Sequence, residues 1–245
     1  MNYPVWLAAI MEFKLVGAPI ALYKEFETGA EKGVSEIRKI LGISFQSLNL
    51  NNCTQEAAND KIYAKAKRLV NKYRSFFIGG DHSITYPILK AQTKPFDIFW
   101  FDAHPDLYDF YKHKFSHATV MRRILELHNC RTIYLIGNRA IEPEEKEFLK
   151  DTERVKRIHF NQIKRTHSRR YYVTIDMDVL DPSEAPAVDH PVPRGLSMTQ
   201  LISSIKHLKK GNLIGCDLVE VVPDNDSSGI TENNAVKIIK TILNS

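Results

Sequence analysis

Cysteine is scarce in this sequence, and no two cysteines are close enough to form a CxxC pair. Cys53, Cys130 and Cys216 are an odd number and lie far apart, so neither a disulfide framework nor a zinc knuckle is predicted. Long hydrophobic runs are also missing. The apolar stretch from Val5 to Met11 is too short to cross a bilayer and follows no basic residue, unlike a secretory signal. We therefore expect a protein of a reducing compartment, the cytoplasm, without a membrane segment.

Charge of one sign is not concentrated anywhere in the chain. The 34 Lys and Arg exceed the 29 Asp and Glu, which gives a formal net charge of +5. The basic residues are nevertheless dispersed, and no long basic run accompanies an aromatic platform, so no nucleic-acid partner is predicted. Internal repeats and Pro/Gly/Ser-rich linkers are missing as well. We therefore expect one domain over residues 1–245.

Short, apolar, β-rich runs alternate with stretches of helical periodicity along the chain. This alternation predicts a mainly parallel sheet of about eight strands with helices on both faces, a three-layer α/β/α sandwich. The predicted strands are Lys14 to Gly17, Ser47 to Leu50, Phe76 to Ile78, Asp97 to Phe101, Thr132 to Ile136, Val155 to Ile158, Tyr171 to Ile175 and Leu213 to Val219. The predicted helices are Ala30 to Leu41, Glu56 to Tyr73, Thr119 to Leu127, Glu142 to Leu149, Met198 to Leu208 and Glu232 to Leu243.

Metal-type ligands follow three of the predicted strands, at the carboxyl ends where such sheets bind ligands. The three segments are Gly79-Gly80-Asp81-His82-Ser83, Asp102-Ala103-His104-Pro105-Asp106 and Asp176-Met177-Asp178. In an extended chain alternate residues point to one side, which would group Asp102, His104 and Asp106, and likewise Asp176 with Asp178. Each segment alone is compatible with an ordinary turn or cap. Their occurrence at three strand ends favours one shared site.

The aspartates of these segments require compensation by cations. Carboxylates that converge in one pocket repel one another and raise one another's pKa, and two divalent ions would balance four of them. A ligand set of oxygen with some imidazole favours Mn²⁺ over metals that prefer thiolates, although Fe, Co, Ni and Zn stay open. The prediction is therefore a centre with two Mn²⁺ ions.

The three segments resemble the markers of the arginase and agmatinase family, the ureohydrolases, which read GGDHS, DAHxDxxD and DxDxxDP in this order. They stand here at positions 79–83, 102–109 and 176–182. The resemblance implies the arginase-like sandwich and two sets of manganese ligands. The first set is His82, Asp102, Asp106 and Asp176, and the second is Asp102, His104, Asp176 and Asp178. It further implies that a hydroxide bridging the two ions attacks the guanidinium carbon, which releases urea and an amine.

The resemblance also implies catalytic roles for His117, Asp178 and Glu220. His117 stands where related enzymes keep a histidine that shuttles protons near the mouth of the site, although a polar residue at a helix start is the alternative. Asp178 acts within the second ligand set. Glu220 stands where the family keeps a glutamate that binds the guanidinium through a two-pronged, charge-assisted contact, which orients the substrate. Asp217, on the same strand as Glu220, is predicted to be structural.

Departures from the family pattern leave the exact substrate open. Ala118 replaces a glycine, and His190 replaces the threonine usually placed beside the substrate; His190 could reshape the pocket, contact the substrate or line a loop. The asparagine with which arginases grip the amino-acid head is missing, because Leu107-Tyr108-Asp109 stands there, and this resembles agmatinases more. Asp109 is a candidate contact for a distal amine, with a solvated loop carboxylate as the alternative.

The leading hypothesis is an agmatinase-like ureohydrolase that acts on agmatine or an agmatine-like precursor in polyamine biosynthesis. The resemblance further implies a homo-oligomer, as a trimer or hexamer. Other ureohydrolases, which act on arginine or a guanidino acid, and a formiminoglutamate hydrolase are neighbouring alternatives. A single-zinc deacetylase on a related fold would need fewer ligands. A regulatory relative that binds metal without turnover is an alternative of another class.

Overall fold

A parallel sheet of eight strands runs through the part of the chain that the computed structural model describes, residues 13–21, 29–166, 168–208 and 212–244. The strands are β1 (Phe13–Ala18), β2 (Gln46–Ser47), β3 (Arg74–Gly79), β4 (Phe96–Phe101), β5 (Cys130–Ile136), β6 (Val155–Arg157), β7 (Tyr171–Asp176) and β8 (Leu213–Val219). A strand forms at each of the eight predicted places, although β2 overlaps its predicted range at Ser47 alone, and every pairing is parallel. The stretch from Val5 to Met11 lies outside the described residues.

Both faces of the sheet are buried, because successive strand residues point alternately into two hydrophobic cores. In β3, Phe76 and Ile78 belong to one core, while Phe77 belongs to the other. In β4, Phe99 lies in the first core and Trp100 in the second. Strands covered on both faces need no polar alternation, which is why they read as continuous apolar runs in the sequence.

Seven α-helices in the described ranges cover these faces. They are α1 (Gly33–Leu41), α2 (Gln55–Leu69), α3 (Thr85–Lys90), α4 (Val120–Leu125), α5 (Pro143–Asp151), α6 (Met198–Lys206) and α7 (Ile230–Asn244). Buried residues of α1, α6 and α7 line the first core, whereas those of α2, α3 and α4 line the second, where α5 also packs. The three-layer α/β/α prediction is confirmed. None of the described helices is long and apolar enough to span a membrane.

Three differences between the predicted and the observed helices stand out, besides shifts of one to three residues at other helix ends. Helix α3 was not predicted, since six residues are too few for a helical period to stand out. Helix α2 ends at Leu69, four residues before the predicted Tyr73. Helix α7 begins at Ile230, two residues before the predicted Glu232, and the hydroxyl of Thr231 accepts a hydrogen bond from the backbone N–H of Ala187. Ser197 and Gln200 form a capping box at the start of α6.

The strand order places four functional strand ends side by side. Across the sheet the order is β2-β1-β3-β8-β7-β4-β5-β6, so β8 and β7 lie between β3 and β4. Since all strands run parallel, the carboxyl ends of β3, β8, β7 and β4 meet at one edge. The segments that follow these strands are therefore neighbours in space, although they are far apart in sequence.

Candidate metal centre

An aspartate side chain holds the turn that follows each of three central strands. In each turn, Oδ1 of the aspartate accepts a hydrogen bond from the backbone N–H two residues further on. The bonds run from Ser83 to Asp81 at 3.0 Å, from His104 to Asp102 at 2.6 Å and from Asp178 to Asp176 at 2.9 Å. Aspartate favours such turns because its short side chain bonds its own backbone. After each turn, the chain therefore continues across the carboxyl-end edge of the sheet.

These turns correct one step of the sequence prediction. The segment after β4 is not extended, since the chain bends at Ala103 and His104, and Asp106 has a left-handed backbone with φ 51°. Alternation along a strand therefore does not explain why Asp102, His104 and Asp106 share a site. Turn geometry brings them there, and the left-handed residue costs on the order of 1 kcal/mol.

The side chain of His82 lies at the centre of a buried carboxylate group. Its Nδ1 atom lies 3.1 Å from Oδ2 of Asp102, 3.1 Å from Oδ2 of Asp106 and 3.2 Å from Oδ2 of Asp176. Despite these distances, Nδ1 is buried and makes no hydrogen bond. A buried polar atom without a partner needs an explanation. A cation between the ring nitrogen and the three oxygens would provide one.

A second group of donors surrounds His104. Its Nδ1 atom lies 2.7 Å from Oδ2 of Asp178 and 3.7 Å from Oδ1 of Asp102. The other oxygen of Asp178, Oδ1, accepts a hydrogen bond from the backbone N–H of Ala103 at 2.9 Å. The ligand atoms of His82, Asp102 and Asp106 lie within 4.8 Å of one another, as do those of Asp102, His104 and Asp178, so Asp102 belongs to both sets. The structure thus brings together all six predicted ligands, with Asp102 between the two histidines.

Neighbouring side chains fix the orientation of these donors. Nε1 of Trp100 donates a hydrogen bond to Oδ2 of Asp102 at 2.9 Å, and the Trp100 ring stacks on His82 with centroids 4.5 Å apart. Nε2 of His82 lies 2.9 Å from Oγ1 of Thr174, which in turn donates to Asp217. Tyr172 and Thr85 also donate to Asp217. Asp217 therefore supports the site from beneath, in agreement with its predicted structural role.

Burial and mutual repulsion shift the pKa values of the aspartates. Burial, and then the charge of Asp102, raise the pKa of Asp106 to about 7. The same causes raise the pKa of Asp178, and burial together with Asp178 raises that of Asp176 well above its usual value. Burial alone would raise the pKa of Asp102 too, but the neighbouring imidazoles of His104 and His82 lower it. Without cations, the cluster therefore retains protons that divalent ions would displace.

Glu220 approaches the same cluster from the end of β8. The residue is buried and has a left-handed backbone with φ 62°. Its backbone N–H donates to the carbonyl of Gly80, and its Oε1 accepts from the backbone N–H of His82, both at 2.8 Å. Gly80 is required because a Cβ atom there would lie 1.8 Å from the carbonyl oxygen of Ile20. Burial, and then the charge of Asp176, raise the pKa of Glu220 well above its usual value.

A cavity of about 280 Å³ opens above the cluster. The predicted residues His117, His190 and Glu220 line it, together with five of the six predicted metal ligands. The rings of His117 and His190 stack with centroids 6.2 Å apart. Burial, and then the neighbouring His190, lower the pKa of His117 to about 4. The His117 imidazole is therefore neutral at physiological pH.

Asp109 does not reach this cavity, which corrects its predicted contact with substrate. Its side chain is 68% exposed, and its Oδ1 accepts a hydrogen bond from Nη2 of Arg123 at 2.7 Å. The arginine holds the carboxylate on the outer surface. Asp109 is therefore a surface carboxylate, the alternative that its residue type already suggested.

Five polar lining residues of the cavity were not predicted as site residues: Tyr108, Tyr111, Glu142, Glu145 and Asp189. Glu142 follows β5, so the rule that ligands bind beyond strand ends could have found it. Asp189 precedes the predicted His190 in the same loop. Tyr108 and Tyr111 lie in an irregular segment between β4 and α4, where no periodic signal indicates the direction of a side chain.

Comparison with known proteins adds an independent finding. The profile of the arginase family matches residues 11–244. The chain is 33% identical to arginase 1, mitochondrial, of Arabidopsis thaliana over 189 residues, which cover 69% of this chain and 54% of the relative. It is 35% identical to agmatinase of Bacillus subtilis over 182 residues, which cover 68% and 61%. The chain thus matches little more than half the length of these relatives. The crystal structure of agmatine ureohydrolase of Thermoplasma volcanium superposes with a TM-score of 0.83 at 26% identity, covering 95% of this chain and 89% of that chain.

Proposed function

The chain belongs to the arginase family, and from this premise we infer that it is a ureohydrolase with two divalent metal ions, which releases urea and an amine from a guanidino compound. The observation that carries the proposal is the position of His82. Its Nδ1 atom is buried without a hydrogen-bond partner and lies within 3.2 Å of three carboxylate oxygens. Agmatine, or an agmatine-like polyamine precursor, is the substrate that we propose.

The donor set fits two cations. We assign the first ion to His82, Asp102, Asp106 and Asp176, and the second to Asp102, His104, Asp176 and Asp178. The shared position of Asp102 in two donor groups supports its role as a bridge, and the contact of Asp176 with His82 supports the second bridge. The oxygen-rich set favours Mn²⁺. Bound there, the ions would supply a Lewis acid and an activated water.

Glu220 would hold the guanidinium group. Although Oε1 of Glu220 accepts the N–H of His82, each carboxylate oxygen can accept more than one hydrogen bond. Both oxygens can therefore still accept from a planar guanidinium, which makes short, charge-assisted contacts. The positive charge of the substrate would favour the ionised form of this buried carboxyl. Its bond to His82 fixes the carboxylate relative to the donor cluster, so that the guanidinium carbon is oriented toward the cluster.

His117 would move the proton that the leaving amine requires. The neutral imidazole lines the cavity, where it can take up a proton at a ring nitrogen and pass the proton on to the leaving amine. His190 stacks against it and lies on the cavity wall, where it would contact the substrate and limit the shape of its tail. Tyr111 contacts the other side of His117, with ring centroids 5.7 Å apart. These rings restrict the entrance for bulky substrates.

The charges of the cavity wall favour a substrate with a cationic tail. Among the described lining residues there is no Lys or Arg, whereas Glu142 and Asp189 add carboxylates away from the predicted ligands. The primary amine of agmatine would find a partner of opposite charge. The α-carboxylate of arginine, or the carboxylate of a guanidino acid, would face repulsion instead. Formiminoglutamate, which carries two carboxylates, would be disfavoured more strongly.

A product screen with the Mn²⁺-loaded protein tests this proposal. Agmatine, aminopropylagmatine, arginine and guanidinobutyrate should be compared by urea release, and formiminoglutamate by formamide release. We expect the two agmatine compounds to have the highest kcat/KM. If the metal-loaded protein releases neither product, the hydrolase proposal fails and the regulatory alternative replaces it. One bound metal per chain would instead support the deacetylase alternative.

The cellular setting of the proposed activity follows from the same reasoning. We propose a cytoplasmic enzyme of polyamine biosynthesis that forms one domain and assembles as a homo-oligomer, a trimer or a hexamer. Its partner is the small guanidino substrate, with no nucleic acid and no membrane involved. Sedimentation velocity of the purified chain would measure the assembly directly.

A further inference from the structure

A second cavity lies at the opposite edge of the sheet, where β3, β7 and β8 begin. Its volume is about 660 Å³, and the cations Lys72, Arg74, Arg169 and Arg170 line it. Strand β3 has six residues, with Arg74 at this edge and Gly79 at the other. At about 3.3 Å per residue, the strand separates the two cavities by roughly 17 Å. The basic cavity is therefore distinct from the proposed metal centre.

The basic cavity is strongly polarised in charge. The chain as a whole is nearly balanced, with 34 basic and 29 acidic residues. In contrast, the described residues that line this cavity include four Lys or Arg and no Asp or Glu. Two segments that are remote in sequence, at positions 72–74 and 169–170, supply these cations. The fold therefore creates a positive surface that the dispersed distribution of basic residues along the sequence does not predict.

Among the cations of this cavity, Arg170 has a guanidinium group that is half-buried and only partly hydrogen-bonded. Its Nη2 donates to the neutral Oε1 of Gln92 at 2.8 Å, while its Nε is buried and makes no hydrogen bond. Burial lowers the pKa of the Arg170 guanidinium. Within the described parts of the chain, no carboxylate pairs with Arg170, Arg169 or Lys72. A half-buried guanidinium without a counterion is unfavourable, and a bound anion would relieve this cost.

We propose that the basic cavity binds a small molecule with a phosphate or diphosphate group. Guanidinium groups match the spacing of phosphate oxygens, and a lysine adds a further point charge. Several cations without an interspersed carboxylate favour an anion of more than one charge over a monocarboxylate. The ring of Tyr73, which is 46% exposed, also lines the cavity and offers a surface on which a nucleoside base could stack.

Calorimetric titration of the Mn²⁺-loaded protein tests this inference. Inorganic pyrophosphate and ADP serve as probes, because they share the diphosphate but only ADP carries a base. We expect saturable binding of both, and the combined substitution Arg169→Gln and Arg170→Gln should weaken it at least tenfold. Lys156→Gln with Arg157→Gln, a matched loss of two exposed cations on β6, should leave the affinity unchanged. Tighter binding of ADP would assign the site to a nucleotide, and equal binding would assign it to the phosphates alone.

A second comparison separates this cavity from the proposed metal centre. Glu220→Gln changes the metal-side cavity and should leave the affinity for pyrophosphate unchanged. The inference is overturned if wild-type protein shows no saturable binding, or if the arginine substitutions leave the affinity for pyrophosphate unchanged, which would place the binding at the metal centre. If the double variant fails to fold, Lys72→Gln with Arg169→Gln replaces it, since both side chains are exposed. Binding is measured without urea release, so this test can fail independently of the proposed hydrolase activity.

Discussion

The backbone N–H of His82 donates a hydrogen bond to Oε1 of Glu220 at 2.8 Å, although the two residues lie 138 positions apart in the sequence. The bond exists because β3 and β8 are neighbours and both end at the same edge of the sheet. It connects a proposed metal ligand directly to the residue proposed to bind the guanidinium. Substitutions at these two positions therefore test the two halves of the proposed site separately.

Glu220→Gln should retain both metal ions and lose most of the activity. The amide oxygen can still accept the N–H of His82, but the neutral side chain loses its charge-assisted contact with the guanidinium. A lost hydrogen bond to a charged group costs about 1.5–3 kcal/mol. This corresponds to a decrease in kcat/KM of roughly 10- to 150-fold. Metal analysis and urea-release kinetics measure the two effects, and an unchanged kcat/KM would remove Glu220 from its proposed role.

His82→Ala should weaken the binding of one metal ion and abolish turnover. The substitution removes the only nitrogen donor that we assign to the first ion, and it leaves three carboxylates without that ligand. His207→Asn, which changes an exposed histidine at the end of α6, is the matched control. Metal content per chain should fall in the first variant and stay constant in the second. Full activity of His82→Ala would contradict the metal assignment.

Metal-free protein should lose stability as the pH rises from about 4 to about 7. The pKa of Asp106 is raised from 3.8 to about 7, so in this window the folded state binds a proton that the unfolded chain has released. The stabilising contribution is therefore present at the lower pH and is lost as the pH rises through the folded-state pKa. Asp176 and Asp178 are shifted in the same direction.

Thermal unfolding after treatment with a chelator measures this effect. The Tm of metal-free protein should fall across the window, and Asp106→Asn should reduce the fall because it removes one titrating group. Added Mn²⁺ should raise the Tm more at about pH 8 than at about pH 5, since the ions need ionised carboxylates. A metal-free Tm that depends on pH equally in wild type and Asp106→Asn would argue against this origin.

Glu142→Gln should raise the KM for agmatine, with a smaller effect on arginine. Glu142 lines the cavity, where its carboxylate would attract the amine at the end of the agmatine tail. Arginine also has an amine there, but it carries an α-carboxylate beside it, which Glu142 would repel. A partly exposed charge pair is worth up to about 1 kcal/mol, so we expect an increase of roughly fivefold. Asp109→Asn is the control, because its side chain points to the outer surface. An equal increase of KM in both variants would show that Glu142 has no special role in binding the amine.

Arg139→Lys should destabilise the protein and raise the KM for substrate. The Arg139 guanidinium donates to the carbonyls of Asp178 at 2.8 Å and Val192 at 2.6 Å, among other backbone oxygens. It thereby ties the ligand loop after β7 to the loop that carries His190. A lysine has fewer donors and cannot reach all these carbonyls. We expect a loss of about 2–3 kcal/mol in the free energy of unfolding, measured with denaturant. Arg157→Lys, which affects a single long hydrogen bond at the surface, should cost less.

Much of this molecule was predictable from local sequence. The apolar runs predicted the positions of all eight strands, because a strand that is buried on both faces of a sheet has a continuous run of hydrophobic residues. The acidic and imidazole groups at three strand ends predicted a shared site before any contact was known. Local sequence failed where conformation departs from regular periods, as at Asp106, whose left-handed backbone directs its side chain in a way that alternation does not anticipate.

The sequence by itself determined which strands form and which metal-type ligands follow three of them, since these properties depend on neighbouring residues along the chain. Only the tertiary structure decided that β8 and β7 lie between β3 and β4, that Glu142 lines the cavity while Asp109 faces outward, and that Arg170 and Lys72 line one cavity at the opposite edge. These outcomes depend on how crossover connections arrange the strands. Such long-range packing depends on the whole chain, and it cannot be predicted from any single segment.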